Sequence, residues 1–498
     1  MLTSLSLPPF NYLIINFFTF TLFFLFLIKK SKQDKNTKMF FFYGWLFGFG
    51  YFITNLYWIS ISLTFDQNFK FLIPLSIVLI PAFLGIFYGL ISYFFLILKP
   101  KKVASSFFTF SLIFAVIEFI RGSILTGFPW NLIAYSFSNH LEILSITSLI
   151  GTYGFNLFCI SLFTSPAIFI LRDNKKDIGI IIFFLVATII FYIYGVSYEK
   201  KFNNLEAKTF DYKIRAIGSN ISLNRFYTNN DPISVIKDLI VISKPDPNEK
   251  IIFVWPEGII PGVSQKELFE YQWLFDDYFN NNHLIAIGIN SQSINSRSTE
   301  YYNSFSIYDH NLNLLHFYNK ISLVPFGEFL PFENLLSRIG LRTITNNYQS
   351  YSRGKKRDII EINEENFFLK ILPLICYEII YSGKIFSNSD FDLIINISED
   401  GWFGKSIGPK QHFNHSIFRA IESGKYVLRS ANNGIAAIIN PLGIVEKKVG
   451  FGQSGYIDFN ERKKIQPTVF SKYGNKIFGL LILLYIFLIF SFNRIKYE

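Results

Sequence analysis

Three residues in the second half of the chain have side chains suited to nucleophilic chemistry: Glu257, Lys320 and Cys376. Each follows a short β-rich run. Ile251–Trp255 leads through Pro256 into Glu257, and Leu314–Asn319 leads into Lys320. Leu372–Ile375 leads into Cys376, Tyr377 and Glu378, and Leu393–Ile397 into Ser398, Glu399 and Asp400. Active sites of α/β folds collect at strand ends, where rigid elements aim side chains from loops. The thiolate is the reactive form of cysteine, so Cys376 needs a base and a local positive charge. Glu257 could accept its proton, and Lys320 could hold the charge on an oxyanion. The spacing alone does not bring the three together, and a single buried cysteine is more often inert packing.

The elements that must position these residues lie between about 198 and 474. Polar turns such as Pro245-Asp246-Pro247-Asn248 separate the β-rich runs. Ile251–Trp255, His283–Ile289, Phe305–Tyr308, Phe368–Ile375, Leu393–Ile397 and Ile435–Ile439 are predicted strands. Ser264–Tyr278 and Gln411–Glu422 are predicted helices. Their alternation predicts a layered α/β domain large enough for its own core. Two cysteines, Cys159 and Cys376, exclude a disulfide scaffold and a Cys-rich metal site.

The rest of the chain is of a different kind. Hydrophobic residues make up 50% of the sequence and Phe alone numbers 60, which excludes a disordered chain. Long apolar runs predict membrane spans near 10–28, 39–63, 71–98, 105–121, 143–171, 178–197 and 475–493. The third holds Pro81, which predicts a kink or tilt. The first lacks a basic n-region and a small-residue cleavage site, and is expected to be a retained span. Lysines in alternate loops (29–38, 99–102, 172–176 and the end) are expected to be cytoplasmic. That arrangement puts 198–474 outside. The organisation expected is a bundle over 1–197, an external domain over 198–474, and a last span with its tail over 475–498. The net charge of +11 fits cytoplasmic loop lysines better than a nucleic-acid partner.

Several motifs carry a family pattern. Val254-Trp255-Pro256-Glu257, Asn319-Lys320 and Ile375-Cys376-Tyr377-Glu378 resemble the Glu-Lys-Cys triad of the nitrilase (carbon–nitrogen hydrolase) superfamily. The stretch from Tyr318 to Pro331 narrows the resemblance to the apolipoprotein N-acyltransferase family. Gly401–Pro409 with Gln411-His412, Leu428–Gly434, Glu118–Gly122 and Leu125–Trp130 have the same character. The resemblance implies a multi-pass α-helical membrane bundle plus an αββα sandwich on the periplasmic side of the cell inner membrane. It implies a two-step transfer without metal or cofactor. Cys376 would be the nucleophile that takes an acyl chain from a glycerophospholipid as a thioester. The N-terminal α-amine of a diacylglyceryl-cysteine apolipoprotein would then accept it. Glu257 would be the general base and Lys320 the oxyanion stabiliser, with Glu328, Tyr377 and Glu378 supporting them. The chain departs from the family in four ways. It shows seven spans where eight are usual, and its Leu5–Asn11 looks like the segment after the family's first span. Tyr227 stands where a loop Trp is frequent, Gly401 where Ala is usual, and Glu399 where Asn is usual.

Other groups have plainer readings beside functional ones. Glu118 and Arg121, one turn apart at a span end, are read as a structural anchor. His412 and His415 lack a third ligand at metal spacing and are expected to hold loops by hydrogen bonds. Glu328 and Glu378 are expected near the site, while Glu399 fits either a site role or solvated loop charge. The apolar stretch 329–342 is either an arm dipping into lipid or a core-facing helix, and the polar run Thr343–Gly354 is expected to be a loop. Cys159, inside a span, is expected to pack. The alternative to the acyltransferase is a membrane-tethered amidase or nitrilase-type hydrolase using the same triad. A transporter would carry paired polar groups at mid-bilayer, which these spans nearly lack.

Overall fold

A computed structural model describes residues 1–227, 231–294, 299–339, 343, 350–385 and 390–494. Among the described residues seven helical segments are long and apolar enough to cross a membrane: Ile14–Gln33, Thr37–Thr64, Gln67–Leu98, Val103–Arg121, Thr147–Leu171, Lys175–Asn203 and Lys476–Arg494. Their α-helical parts are α1 (Ile14–Gln33), α2 (Thr37–Leu56), α3 (Ile73–Leu98), α4 (Val103–Arg121), α5 (Thr147–Thr164) and α6 (Ile178–Asn203) at the start. α3 continues across Pro81. α4 and α5 are buried at the centre, whereas α6 leaves Phe183, Ile189 and Ile193 uncovered, as a lipid-facing helix must. The Val103 amide donates to Asp173 Oδ2 at 2.7 Å, which gathers two of the lysine-bearing turns at one end of the bundle. The other end of α6 runs directly into the first strand.

Twelve strands follow among the described residues: β1 (Ala207–Ser219), β2 (Ile251–Val254), β3 (His283–Ile294), β4 (Thr299–Tyr308), β5 (Leu314–Asn319), β6 (Ile360–Glu364), β7 (Phe367–Ile375), β8 (Leu393–Glu399), β9 (Tyr426–Asn432), β10 (Ala436–Ile439), β11 (Val445–Val449) and β12 (Gly455–Lys463). They form two half-sheets, joined where Gly218 and Ser219 of β1 pair with Ala431 and Asn432 of β9. One half is ordered β5-β4-β3-β2-β1-β12; the other β6-β7-β8-β9-β10-β11. Helices α7 (Pro232–Ser243) and α8 (Gly408–Ser423) cover the sheets, and α9 (Lys476–Arg494) returns to the membrane.

Strand alternation explains the layering. On β2, Ile252 and Val254 face the other half-sheet, while Ile251 and Phe253 join Trp255 in a separate core under α7. On β8, Leu393, Ile395 and Ile397 point between the half-sheets, and Ile394 points outward toward α8. The result is an αββα sandwich, as the family resemblance implied. The outer core under α8 does not stop at the domain edge. It is one apolar cluster with the bundle, from Phe20 and Phe114 through Tyr377 and Ile380 to Phe418, Val427 and Ile439.

One predicted element is different. Ser264–Tyr278 is not a single helix. Ser264 pairs in extended form with Asn290, and the Gln265 amide donates to the Asn290 carbonyl at 2.7 Å. Only a 3-10 turn (Glu267–Tyr271) and one α-turn (Gln272–Phe275) follow. Attachment to the end of β3 overrides the helical spacing of the apolar residues.

Candidate active site

Cys376 sits where β7 ends and a 3-10 turn (Cys376–Ile380) begins. β7 runs parallel to β8, and the thiol-bearing residue is 7% exposed. Its φ is +49°, a region that costs an L-residue energy and persists only where neighbours impose it. Burial pushes its thiol well above the usual cysteine range; the charge of Glu257 adds to this, and Lys320 opposes it. Ser398, on the adjacent strand, also opposes the rise, and its hydroxyl donates to Asp400 Oδ1 at 2.7 Å.

Lys320 and Glu257 reach the same place from the other half-sheet. The buried ammonium lies 3.0 Å from Glu257 Oε1 and 2.9 Å from Glu328 Oε1. Burial alone would lower the Lys320 pKa, but the two carboxylates outweigh it and hold it well above the usual value. Glu328 is pushed up by burial against the pull of Lys320. Asn303, from β4, donates to both carboxylates, at 2.7 Å to Glu257 and 2.8 Å to Glu328. The second Glu257 oxygen accepts the Glu399 amide at 3.0 Å, so three donors fix this carboxylate. Gly288 makes room for it: a Cβ there would lie 2.4 Å from Glu257 Cα.

The structure therefore brings Glu257, Lys320, Glu328 and Cys376 into one buried cluster. Glu378 is close by but faces elsewhere. Its Oε1 accepts Tyr318 Oη at 2.7 Å, the amides of Ile321 and Ser322 at 3.0 and 3.1 Å, and Arg357 Nη2 at 2.6 Å. Its Oε2 accepts the Ile375 amide at 3.0 Å. Glu378 thus ties the chain after Lys320 to the chain before Cys376. Tyr377 points to the bundle, where its hydroxyl donates to the Gly127 carbonyl at 2.8 Å.

Glu399 is buried, so it is not a solvated loop charge. Its carboxylate turns away from Glu257 to Arg225 Nη2 at 2.5 Å and Asn432 Nδ2 at 2.6 Å. The space it uses is the space Gly401 leaves, since a Cβ on Gly401 would lie 2.7 Å from Glu399 Oε1. The two departures from the family pattern are therefore one packing solution. Below them, Asp400 pairs with Arg429 and His412, all fully buried. His412 makes hydrogen bonds, as expected, and the His415 ring packs edge-on to Tyr135 with centroids 4.6 Å apart. Among the described residues no His, Cys, Asp and Glu group has metal-site geometry. Cys159 is buried in α5. Tyr227 closes the turn Leu223–Phe226, with its amide bonded to the Asn224 carbonyl at 2.9 Å. In the 329–342 stretch, Leu330 is buried and Phe332 is 78% exposed. Residues 340–342, and 344–349 of the following loop, lie outside the described residues. Asn303, Arg225 and Arg357 escaped the sequence reading, which named Asp400 only as a strand-end residue beside Glu399.

The bundle braces the chain that follows Cys376. Glu118 and Arg121 form a buried ion pair at the end of α4, and Arg121 also donates to the Phe128 carbonyl. This is the expected anchor, and it shapes the loop that carries Gly127 and Trp130. From the other side, Glu422 of α8 accepts the Thr152 amide and hydroxyl at 2.7 and 2.6 Å and Ser382 Oγ at 2.6 Å.

Residues 1–164 match the profile of the apolipoprotein N-acyltransferase N-terminal domain, and residues 240–460 that of carbon-nitrogen hydrolase. The apolipoprotein N-acyltransferase of Rickettsia prowazekii (strain Madrid E) is 32% identical, over 93% of this chain and 91% of that protein. That of Rhodopseudomonas palustris is 29% identical, over 99% and 94%. A CN-hydrolase superfamily protein from Xanthomonas campestris is a structural neighbour at 16% identity, covering 50% of this chain and 91% of its own, with a TM-score of 0.35.

Proposed function

The chain belongs to the apolipoprotein N-acyltransferase family, and from this premise we propose that it moves an acyl chain from a glycerophospholipid, through a Cys376 thioester, to the α-amine of a diacylglyceryl-cysteine apolipoprotein. It is a multi-pass membrane acyltransferase. In the first step Glu257 takes the thiol proton as Sγ bonds to the ester carbonyl carbon. Lys320 stabilises the oxyanion, the ester C–O bond breaks, and the lysophospholipid oxygen recovers the proton from Glu257. In the second step the acceptor amine attacks the thioester carbon. Glu257 accepts the amine proton and returns it to sulfur as the C–S bond breaks. Each half-reaction leaves Glu257 as it began, and neither needs an external oxidant or reductant.

The observation that carries this reading is the buried Glu257–Lys320–Glu328 cluster beside Cys376, all at most 7% exposed. A dry site protects a thioester from water until an amine arrives. The raised thiol pKa calls for a base at hand, and Glu257, held by three donors, is that base. Tyr377 supports the site from the bundle side through Gly127. We further propose that residues 198–474 lie on the periplasmic side of the inner membrane. The clustering of lysine-bearing turns at the bundle end away from β1 supports that orientation.

Intact mass after incubation with phospholipid tests the proposal. The expected result is one added acyl chain on Cys376, removed by hydroxylamine or by a diacylglyceryl-cysteine peptide. No adduct, with ammonia released from simple amides, would replace this reading with the hydrolase.

A further inference from the structure

The strained backbone at Cys376 is held from the carbonyl side by residues that touch neither Glu257 nor the Lys320 ammonium. The Cys376 carbonyl accepts from His412 Nε2 at 3.3 Å and from Asn396 Nδ2 at 3.5 Å. Both side chains are fully buried. Asn396, on β8, also donates to the Leu374 carbonyl at 3.2 Å, so it spans the two residues before the turn and the turn itself. His412 is fixed in turn. Its ring lies under Trp130, and its Nδ1 is 2.8 Å from Asp400 Oδ1 and 3.0 Å from Arg429 Nη2. Asp400 is itself held by Arg429 Nη2 at 2.8 Å and by Ser398 Oγ at 2.7 Å. Nδ1 therefore has both an acceptor and a donor at hand, and Nε2 keeps its hydrogen for the carbonyl whether the ring is neutral or charged.

In a trans peptide the C=O and N–H point in opposite directions. Fixing the Cys376 carbonyl toward α8 therefore aims the Tyr377 N–H away from α8 and fixes the plane from which the Cys376 side chain departs. We propose that Asp400, His412 and Asn396 form a positioning relay for the nucleophile, in which His412 acts by its Nε2 hydrogen bond to the Cys376 carbonyl and exchanges no proton with the thiol. The relay rests on the reading of Cys376 as the acyl-carrying residue. Without it, φ near +49° at Cys376 would lose two of its supports, and the sulfur would shift from the position its addition to the ester carbonyl requires.

Two substitutions in the full chain separate the two ends of the ring. His412→Gln places an amide N–H near the position of Nε2, facing the carbonyl. His412→Asn places one near Nδ1, facing Asp400. The rate of thioester formation on Cys376 is measured against phospholipid concentration, together with the thermal midpoint. His412→Asn is expected to lower the limiting rate by about a hundredfold, the scale of an ångström misplacement, with little change in half-saturating phospholipid. His412→Gln is expected to restore most of that rate. Wild-type rate in His412→Asn, or equal loss in both variants in step with thermal midpoint, would overturn the relay. Absence of thioester in the unsubstituted chain would instead remove the nucleophile reading and the relay with it. Should His412→Asn not fold, Asn396→Leu deletes the other donor and should lower the same rate in the same sense; an unchanged rate there would overturn the relay.

Discussion

The indole of Trp130, on the loop leaving the fourth span, lies almost flat against the imidazole of His412, with ring centroids 5.3 Å apart and planes 20° from parallel. Its N–H donates to Gln411 Oε1 at 2.9 Å. One side chain from the bundle thus registers the helix beneath the nucleophile turn. Trp130→Ala should cost about 3–5 kcal/mol of stability through the cavity it leaves, and should lower lipoprotein acylation. Trp130→Phe keeps a ring and loses one hydrogen bond, worth about 1 kcal/mol. Thermal unfolding in detergent should rank wild type, Phe, then Ala. Equal Phe and Ala midpoints would contradict a role for the ring stack.

The charges around Cys376 predict an inversion between reactivity and turnover. The thiol pKa is raised, so alkylation by iodoacetamide should climb with pH and level off only above the usual cysteine range. Glu257→Gln removes a charge that raises this pKa. At pH 8 the thiolate fraction should grow about tenfold for each unit by which the pKa falls, while acyl transfer is lost with the base. Lys320→Met removes the opposing charge, so both alkylation and transfer should fall. An unaltered alkylation profile in both variants would separate Cys376 electrostatically from its neighbours.

Gly401 and Glu399 should behave as a coupled pair. Gly401→Ala forces a Cβ toward Glu399 Oε1, which Arg225 and Asn432 hold in place. Overpacking of this kind costs about 1–3 kcal/mol. Glu399→Asn alone leaves Arg225 buried without its partner, at about 3–5 kcal/mol. In the double variant the shorter side chain frees the space, and the combined loss should be smaller than the sum of the two. Additive losses in a double-mutant cycle would show that the residues do not share that space.

Glu378→Gln should loosen the chain beside Lys320. The carboxylate accepts five donors, and an amide of the same shape offers only one acceptor oxygen. The loss should approach about 3 kcal/mol, as for a broken buried pair. Hydrogen exchange at the Ile321 and Ser322 amides should accelerate, and acylation should fall. Unchanged exchange at both amides would mean that Glu378 does not hold this loop.

Much of the architecture is visible in the residues because its causes are local. Spans follow from length and hydropathy, and strand ends such as Glu257, Lys320 and Cys376 follow from β-rich runs that stop at polar residues. Asn303 was not visible. It lies within β4, where alternation gives an asparagine no special meaning, and its role arises from two carboxylates brought by distant segments. Helix α8 shows a different gap. His412, Asn414, His415, Arg419 and Glu422 are all buried, and their partners come from distant segments: Asp400 and the Cys376 carbonyl for His412, Thr152 of the bundle for Arg419 and Glu422. Ser264–Tyr278 has helical spacing and still starts as an extended bridge, because Asn290 holds its first residues.

Anchor and enzyme share a single interior. A gene cut at Asn203 and again after Lys463 would leave α8 with its polar face stripped of Thr152 and Trp130, and the outer sheet face open to water. The α/β half is therefore unsuited to harvest as a free-standing soluble reagent. Its purification, its inhibitors and its assays all belong with the bilayer or a detergent that replaces it.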